Sequence, residues 1–469
     1  MSLKHYDLLV IGSGPGGQKA AISAAKLGKN VGIIERKPYL GGVSLQTGTI
    51  PSKALREAAF LASRFSARGM REDSARQLIK HNFLSETIAR KNRIISQKES
   101  VLLKQLMQQG VSIIPGEASF HDDHTITVKS PSGKTELLHA DIIILATGSR
   151  PRRPADIPFD KERVLDSTSI LKLKHLPESL LVIGGGVIAC EFATIFAPLG
   201  VSVILVDSHQ QLLAYLDKDI ADNLVDHMQE MGIKLHMNTR VETVERQENK
   251  VHVKTDTGTE FIIDTLLYAL GRQPNYDNLD IARAGLVNDD NGWIRINEYH
   301  QTSIGHIYII GDLAGNPSLA STAMQQGLMV VQHAFTDEQK PTSAPLPMAI
   351  YTIPELSYVG ETERQLQERG ADYVVGNASY AETARGQIIG DENGMLKLLV
   401  ERSSRVILGV HIIGEAASEL IHVGQIAMSY QSTVDRLADN VFNYPTLAEC
   451  YKTAALCCID QLETDVNNA

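Results

Sequence analysis

The chain has 469 residues, enough for about three domains of roughly 150 residues each. Hydrophobic residues make up 43% and charged residues 21%, as in an ordinary globular protein, and no apolar run is long enough to span a membrane. The net charge of −10 argues against a nucleic-acid partner. Four cysteines are too few for a disulfide scaffold, and the first strand leaves no room for a signal peptide, so we predict a cytoplasmic protein.

The first predicted element is a βαβ unit over residues 6–35, in which a glycine turn joins a strand to an alanine-rich helix. Gly12, Gly14 and Gly17 fit the G-x-G-x-x-G pattern, which lets the backbone approach a pyrophosphate at the helix N-terminus. Glu35 ends the second strand, where a carboxylate accepts hydrogen bonds from ribose hydroxyls. The unit therefore predicts a dinucleotide site.

Two helices and further strands follow this unit. We predict the helices over residues 52–66 and 84–109, and an apolar strand over 141–146 that leads into Thr147 and Gly148. The proline-rich residues 150–154 are typical of a linker that leaves the first domain.

A second βαβ unit spans residues 180–207. Gly184, Gly186 and Ala189 occupy its three pattern positions, and alanine is permitted at the third. Asp207 ends its second strand; a carboxylate there suits the 2′-hydroxyl of NAD and repels the 2′-phosphate of NADP unless a cation offsets it. Neither Arg nor Lys follows Asp207 directly, because Ser208, His209 and Gln210 stand there. Two units predict two dinucleotides, of which FAD with NAD(P) is the usual pair.

The rest of the chain alternates strands and helices. Residues 241–261 alternate like antiparallel strands, and 264–270 and 305–312 predict further strands. Three prolines between 341 and 347 indicate a second linker, and a hairpin is predicted between Gly394 and Gly414. Because the strands of both βαβ units are continuously apolar, as in a buried parallel sheet, the predicted fold class is α/β with two Rossmann-like dinucleotide-binding domains.

These motifs together resemble the pyridine nucleotide–disulfide oxidoreductase family along nearly the whole chain. The resemblance is carried by residues 12–17, 41–53, 146–148, 184–191, 271–274 and 310–312. It implies an FAD-binding domain at 1–150 and 276–342, an NAD(P)-binding domain at 151–275, and a C-terminal α+β dimerisation domain at 343–469. It also implies a homodimer or a higher homo-oligomer.

The resemblance further implies the residues of the site. Lys53 pairs with Glu191 beside the reactive nitrogen of the flavin, where an ammonium stabilises the anionic reduced ring, and these two are the predicted catalytic residues. Asp312 holds the flavin ribitol. The full set implied for FAD is Gly12, Gly14, Gly17, Glu35, Arg36, Gly42, Thr49, Lys53, Gly116, Ala118, Ala146, Thr147, Gly148, Asp312 and Ala320. The set implied for NAD(P) is Gly184, Gly186, Val187, Ile188, Glu191, Asp207 and Gly271.

Three positions depart from the disulfide-reducing members of the family. Ser44 and Thr49 stand where those enzymes carry their redox cysteine pair, and neither oxygen can form a disulfide or a charge-transfer thiolate. Tyr444 replaces the histidine of the C-terminal His-Pro-Thr…Glu motif, and a phenol is a poor base at neutral pH. A dihydrolipoamide dehydrogenase is therefore excluded, and hydride enters and leaves only on the nicotinamide side of the flavin.

That chemistry belongs to the transhydrogenase branch of the family, which residues 49–56, 212–217, 351–355 and 442–446 resemble. Members of this branch usually keep a cysteine where Ser44 stands. The resemblance implies ping-pong hydride transfer between NADPH and NAD⁺ through FAD, with NAD and NADP as substrates. The alternatives are an NAD(P)H:quinone reductase or diaphorase, and a non-catalytic nucleotide-binding flavoprotein; the presence of Lys53 and Glu191 argues against the latter.

The remaining cysteines and histidines suggest no second chemistry. Cys457 and Cys458 are adjacent, like the C-terminal pair of mercuric reductases, but those enzymes also need the inner cysteine pair that is absent here. We interpret both, with Cys450, as small hydrophobic residues of a buried helix. The histidines, among them His411 and His422, form no closely spaced ligand set, so we interpret them as structural and predict no metal site.

Overall fold

The first of the sheets is built around the N-terminal βαβ unit in the computed structural model, which describes residues 3–67, 84–336 and 344–468. The elements up to the end of this part of the chain are β1 (Lys4–Ile11), α1 (Pro15–Lys26), β2 (Val31–Glu35), α2 (Gly42–Gln46), α3 (Thr49–Ala67), α4 (Leu84–Gln108), β3 (Ser112–Pro115), β4 (Glu117–Phe120), β5 (Thr125–Lys129) and β6 (Thr135–Leu145). The strands have the order β3-β2-β1-β6-β5-β4. The first four are parallel, β5 pairs antiparallel with β6, and β4 pairs antiparallel with β5.

The second sheet is built around the second βαβ unit. Its part of the chain contains β7 (Ser149–Pro151), β8 (Val164–Asp166), β9 (Ser179–Ile183), α5 (Val187–Phe196), β10 (Ser202–Val206), α6 (Lys218–Glu230), β11 (Lys234–His236), β12 (Val241–Arg246), β13 (Val251–Thr255), β14 (Glu260–Ile263), β15 (Thr265–Tyr268) and β16 (Arg272–Pro274). Five strands form a parallel sheet in the order β11-β10-β9-β15-β8, and β12, β13 and β14 form the predicted antiparallel sheet beside it.

The chain then returns to the first sheet and ends in a separate antiparallel sheet. The final elements are β17 (Ile307–Ile309), α7 (Ala320–Phe335), β18 (Met348–Ile350), β19 (Leu356–Gly360), α8 (Glu363–Glu368), β20 (Tyr373–Ser379), α9 (Ala384–Ile389), β21 (Met395–Glu401), β22 (Ile407–Ile413), α10 (Ala417–Ser429), α11 (Val434–Asp439) and α12 (Glu449–Asn468). β17 pairs parallel with β6, and β18 to β22 form an antiparallel sheet in the order β18-β19-β22-β21-β20. β21 and β22 are the predicted hairpin.

Apolar side chains bury both faces of the parallel strands. Leu8, Leu9 and Val10 of β1 are fully buried, as are Leu180, Leu181 and Val182 at the equivalent positions of β9. This burial on alternate faces explains why both strands are continuously apolar in the sequence. The predicted fold class is confirmed in this respect.

The proline-rich segment after β6 is a strand as well as a connection. Residues 149–151 form β7, which pairs antiparallel with β16, with Pro151 opposite Arg272. A proline fits here because a two-stranded ribbon has edges at which its missing N–H is not needed. The predicted domain boundary at 150/151 falls within β7 and the one at 275/276 falls just after β16, and both stay predictions. The boundary at 342/343, in the second predicted linker, lies outside the described residues.

None of the helices in the described ranges has both the length and the apolar character of a membrane-crossing segment.

Candidate active site

The first glycine turn lies against the end of β6. Gly12 has φ +107°, and a Cβ there would be 2.4 Å from the carbonyl oxygen of Ala146; a Cβ on Gly17 would be 2.1 Å from the carbonyl oxygen of Gly12. Only glycine fits either position, because any side chain would collide with backbone. Helix α1 begins immediately after Gly14, so its unpaired N–H groups open at this turn. This side-chain-free helix N-terminus fits the pyrophosphate of a dinucleotide.

Glu35 is held at the edge of this turn. Its Oε2 accepts hydrogen bonds from the Ser13 amide at 3.0 Å and from Ser13 Oγ at 2.6 Å, while Oε1 accepts one from the Lys37 amide. Ser13 Oγ also accepts a hydrogen bond from the Gly41 amide. Ser13 is the residue that sequence reasoning missed, since the motif leaves its position unspecified. The carboxylate keeps lone pairs for ribose hydroxyls, and the neighbouring Arg36 is exposed.

Several other residues implied for FAD begin elements that converge on the turn. Gly42 begins α2, Thr49 begins α3 and Ala320 begins α7. A Cβ on Gly42 would lie 2.8 Å from Gly14 Cα, which places α2 directly against the glycine turn. Gly116 lies between β3 and β4 and donates its N–H to the Glu35 carbonyl, and Ala118 is buried in β4.

The Ala146-Thr147-Gly148 turn is fixed by one asparagine. Thr147 Oγ1 donates to the Asn275 carbonyl at 2.6 Å, Asn275 Nδ2 donates to the Thr147 carbonyl, and the Asn275 amide donates to the Gly148 carbonyl. Asn275 follows β16, so the turn is held by the strand that returns from the second sheet. No motif in the sequence predicts this contact.

Asp312 lies at the end of β17, next to the same ribbon. Ser149 Oγ donates to Asp312 Oδ2 at 2.6 Å, and Arg272 Nε lies 3.8 Å from that oxygen while donating to Ser149 Oγ. Burial lowers the pKa of Arg272, and the charge of Asp312 works against that shift. Asp312 is thus oriented by two residues, and its carboxylate remains able to accept a further hydroxyl.

Lys53 and Glu191 form an ion pair between a helix beside the first sheet and a helix beside the second. Lys53 Nζ, on α3, donates to both carboxylate oxygens of Glu191, on α5, at 2.7 and 2.8 Å. The Tyr351 amide donates to Glu191 Oε1 at 2.9 Å, and the ammonium lies 4.6 Å from the centroid of the Tyr351 ring. Burial raises the pKa of the Tyr351 phenol, so the ring stays neutral beside the Lys53–Glu191 ion pair. The sequence predicted Lys53 and Glu191 but gave Tyr351 no role.

The second glycine turn repeats the first with a different acid. Gly184 follows β9, and Gly186 directly precedes Val187 and Ile188, which begin α5; Gly271 lies before β16. The side of Gly186 on which a Cβ would stand is open. Asp207, 5% exposed, lies against this turn, since a Cβ on Gly185 would be 3.2 Å from Asp207 Oδ2. His209 donates to Asp207 Oδ1 from its amide, and its Nδ1 lies 2.7 Å from the same oxygen.

None of the positions at which disulfide reductases carry their dithiol-exchange residues holds a thiol in this chain. Ser44 is on α2 and Thr49 begins α3, one turn before Lys53. Tyr444 is 75% exposed. Burial raises the pKa of the Cys190, Cys450 and Cys458 thiols to about 12, so these groups remain neutral and inert. Cys457 is half-buried on α12.

The fold and this site define an oxidoreductase with two dinucleotide sites, and the chain belongs to the pyridine nucleotide-disulphide oxidoreductase family. The family model matches residues 6–327, and the model of the family's dimerisation domain matches residues 346–455. The family resemblance predicted from the motifs is therefore confirmed, as is the expectation of a flavoenzyme that works with FAD and NAD(P).

Relatives of the same length carry a more specific name. A soluble pyridine nucleotide transhydrogenase of Mycobacterium bovis (strain BCG / Pasteur 1173P2) is 43% identical over 97% of both chains. One of Yersinia enterocolitica is 40% identical over 96% of this chain and 97% of its own. Among solved structures, LpdA of Mycobacterium tuberculosis matches with a TM-score of 0.89 and 27% identity over 97% of this chain and 99% of its own. The HOCl-induced flavoprotein disulfide reductase RclA of Escherichia coli matches with a TM-score of 0.86, at 27% identity over 96% and 99%.

Proposed function

We propose that this chain transfers hydride from NADPH to NAD⁺ in two half-reactions at one nicotinamide pocket. The observation that carries the proposal is the combination at one site: the Lys53–Glu191 ion pair is intact, while Ser44 and Thr49 replace a redox dithiol. Bound FAD supplies a carrier that takes up a hydride and gives it back. A chain with no dithiol beside that carrier exchanges hydride only with nicotinamides or with diffusible acceptors.

The residues of the first sheet bind and orient the flavin nucleotide. The turn at Gly12 to Gly17 and the N-terminus of α1 receive its pyrophosphate, and Glu35 receives the adenosine ribose. Asp312, oriented by Ser149, accepts a ribitol hydroxyl. Together these contacts fix the ring system in place, so that alignment with a nicotinamide supplies most of the rate.

Lys53 acts electrostatically in this scheme. Glu191 and Tyr351 hold its ammonium in one position, so a fixed positive charge is available when negative charge develops on reduction. Nucleotide exchange needs no proton-transferring base, which is why Tyr444 in place of the histidine is compatible with this activity.

The nicotinamide nucleotides bind at the second turn. The open face of Gly186 and the N-terminus of α5 suit their pyrophosphate, and Asp207 faces the adenosine ribose. Each nucleotide binds, gives or takes a hydride and leaves before the other enters, so the kinetics are ping-pong.

The decisive experiment measures hydride transfer to thio-NAD⁺ with NADPH or NADH as the donor. The expected result is steady turnover with parallel double-reciprocal plots, together with rapid bleaching of the flavin band by NADPH in a stopped-flow trace. Rapid bleaching without thio-NAD⁺ reduction, but with fast quinone turnover, would replace the proposal with a diaphorase. A flavin that NADPH does not bleach would indicate a non-catalytic binding protein.

The same preparation tests the dithiol prediction. Lipoamide, glutathione disulfide and mercuric ion are expected to turn over no faster than the flavin's background rate, because Ser44 and Thr49 cannot form the required thiolate. Turnover that survives a Cys457→Ser/Cys458→Ser double substitution would contradict this.

We also propose a homodimer formed by the C-terminal part of the chain. Val441 is 95% exposed and Tyr430 is 81% exposed, and Ile426 is 59% exposed on α10. Apolar side chains this open in one region are typical of a surface that a second copy covers. Sedimentation equilibrium is expected to give the mass of two chains, and Val441→Asp is expected to shift it toward one.

A further inference from the structure

A cluster of imidazoles and carboxylates gathers at the far end of the first sheet from the glycine turn. Strands β1 and β6 and the residues just before β5 and β17 contribute to it, and its members are His5, Asp123, His124, His139, Asp141 and His306. His5 lies at the start of β1, whereas the glycine turn follows the end of that strand, about 20 Å away at the usual rise per residue. The cluster is therefore separate from the first nucleotide site.

Three of these residues are brought together by strand register. His5 of β1 stands directly opposite His139 of β6, and Asp141 follows His139 by two residues, on the same face of β6. His5 Nε2 lies 2.9 Å from Asp141 Oδ1, and the His5 and His139 rings are 5.4 Å apart between centroids. One ligand atom from each of the three lies within 4.8 Å of the others. Small side-chain rotations close this set around an ion with bonds of about 2.0–2.2 Å.

The side chains are free to make those rotations. His5 and Asp141 are 51% and 54% exposed, so replacing the hydrogen bond between them by two bonds to an ion gives up only that one exposed hydrogen bond. Within the described part of the chain the His139 ring has no hydrogen-bond partner. Its position between His5 and His124 leaves one ring nitrogen available.

The neighbouring set is less suited to an ion. The rings of His124 and His306 stack at 3.6 Å with an interplanar angle of 8°. The lone pair of an imidazole lies in the ring plane, so two rings stacked this closely and this nearly parallel cannot both point at one ion. The His5 and His139 rings are farther apart, at 5.4 Å, and are tilted by 30° to each other. Each ring of the closely stacked pair also has a backbone carbonyl partner: His124 Nδ1 lies 2.7 Å from the Ala140 oxygen, and His306 Nε2 lies 2.9 Å from the Asp123 oxygen. The rings of His124 and His306 pack beside the first set and support it from one side.

We propose that His5, His139 and Asp141 bind one divalent transition-metal ion, with water completing its coordination. Two imidazoles and one carboxylate suit Zn²⁺, Ni²⁺ or Cu²⁺ and are a poor set for Ca²⁺ or Mg²⁺. The ion ties the first strand of the chain to the long central strand β6. Its distance from the glycine turn makes it a structural ion and not a participant in hydride transfer.

The test uses the untagged full-length chain with its flavin, stripped of metal with a chelator and titrated with Zn²⁺ against a chromophoric competitor. One site per chain is expected. His139→Gln and Asp141→Asn are each expected to weaken it at least about tenfold, since even second-shell changes cost metal sites roughly that much. The matched control is His422→Gln, an exposed histidine on α10 paired with Gln425, which is expected to leave the affinity unchanged.

The variant His306→Gln separates the two sets of the cluster. It is expected to leave Zn²⁺ affinity within about twofold of wild type; loss of the site in His306→Gln, but not in His139→Gln, would move the ion to the neighbouring set and overturn the proposal. Cu²⁺ electron paramagnetic resonance gives a second readout. The spectrum is expected to show coupling to two imidazole nitrogens in the wild type and to one in His5→Gln. An identical spectrum in both, with the flavin absorbance unchanged, would show that His5 does not bind the ion.

Discussion

Lys53 and Glu191, 138 residues apart in the sequence, form a bidentate ion pair in which Nζ lies 2.7 Å from Oε1 and 2.8 Å from Oε2. Lys53 is on a helix of the first sheet and Glu191 on a helix of the second, so the pair also joins the two nucleotide-binding parts. The Glu191 side chain is 8% exposed and the Lys53 side chain 26% exposed. Because the pair is largely shielded from water, its electrostatic interactions are screened less than those of an ion pair on the surface.

Lys53→Met is expected to slow flavin reduction by NADPH by roughly 2–4 kcal/mol of barrier height, because a preorganised ammonium no longer stabilises the developing negative charge. FAD is expected to remain bound, since its phosphates and sugars are received elsewhere. Stopped-flow absorbance near ~450 nm measures the rate. Lys53→Arg, which keeps the charge, is expected to lose much less; an unchanged rate in Lys53→Met would mean that the residue is only structural.

Tyr351→Leu is expected to slow the same step by about 0.5–2 kcal/mol, because it removes the ring that lies 4.6 Å from the Lys53 ammonium. The backbone hydrogen bond to Glu191 survives, so the ion pair itself is kept. Tyr351→Phe supplies the control, since its ring has the same face and is expected to restore the wild-type rate. Equal losses in the Leu and Phe variants would assign the effect to the phenol hydroxyl.

Features that depend on neighbouring residues could be predicted from the sequence, whereas contacts between distant residues could not. The two glycine turns and the β21–β22 hairpin were predicted, because each depends on a pattern of residues that lie close together in the sequence. Ser13 and Asn275 were missed, since their partners lie on other strands and no short pattern marks them. Tyr351 lies in the segment 351–355 that carries part of the family resemblance, but that pattern does not indicate its contact with Lys53.

The histidine cluster shows the limit most clearly. His5 and Asp141 are 136 residues apart, and only the parallel pairing of β1 with β6 brings them within hydrogen-bond distance. Ligand spacing in the sequence, which led to the prediction of no metal site, detects sets on one helix or loop and is blind to sets assembled across strands. Conversely, Lys53 and Glu191 were found only because the family resemblance paired them.

A buried lysine anchors the segment that packs on the second glycine turn. Lys397 of β21, 1% exposed, lies 3.2 Å from Asp217 Oδ2 and 2.8 Å from Asp219 Oδ2, and it also bonds to Glu363. Burial by itself disfavours the charged amine, but the hydrogen bonds to Asp219 and Glu363 outweigh it, so the pKa of Lys397 is raised. Leu213, in the segment that ends at Asp217, donates its N–H to the Gly185 carbonyl.

Lys397→Met is expected to lower the free energy of unfolding by roughly 3–5 kcal/mol, because it leaves the buried Asp217 without a counter-charge. Urea denaturation followed by far-UV circular dichroism measures this. The matched control is Lys218→Met on α6, which removes a fully exposed lysine paired with Asp222 and is expected to change the midpoint little. A Lys397→Met midpoint as close to wild type as that of the control would show that the carboxylates find other partners.

Asp207 is expected to set the choice between NADH and NADPH, because its carboxylate lies against the second glycine turn, where we propose that it faces the adenosine ribose and repels a 2′-phosphate. A chain that exchanges hydride between both nucleotides must offset that repulsion, and His209, whose exposed ring has its Nδ1 2.7 Å from Asp207 Oδ1, is the side chain placed to do so. Asp207→Asn removes one like charge and is expected to lower the KM for NADPH more than the KM for NADH, by steady-state assay with thio-NAD⁺. Equal changes for the two nucleotides would show that Asp207 does not face the 2′ position. His209→Gln is expected to raise the KM for NADPH and to leave the KM for NADH unchanged. An NADPH KM that does not change in His209→Gln would exclude His209 and require another cation beside the phosphate.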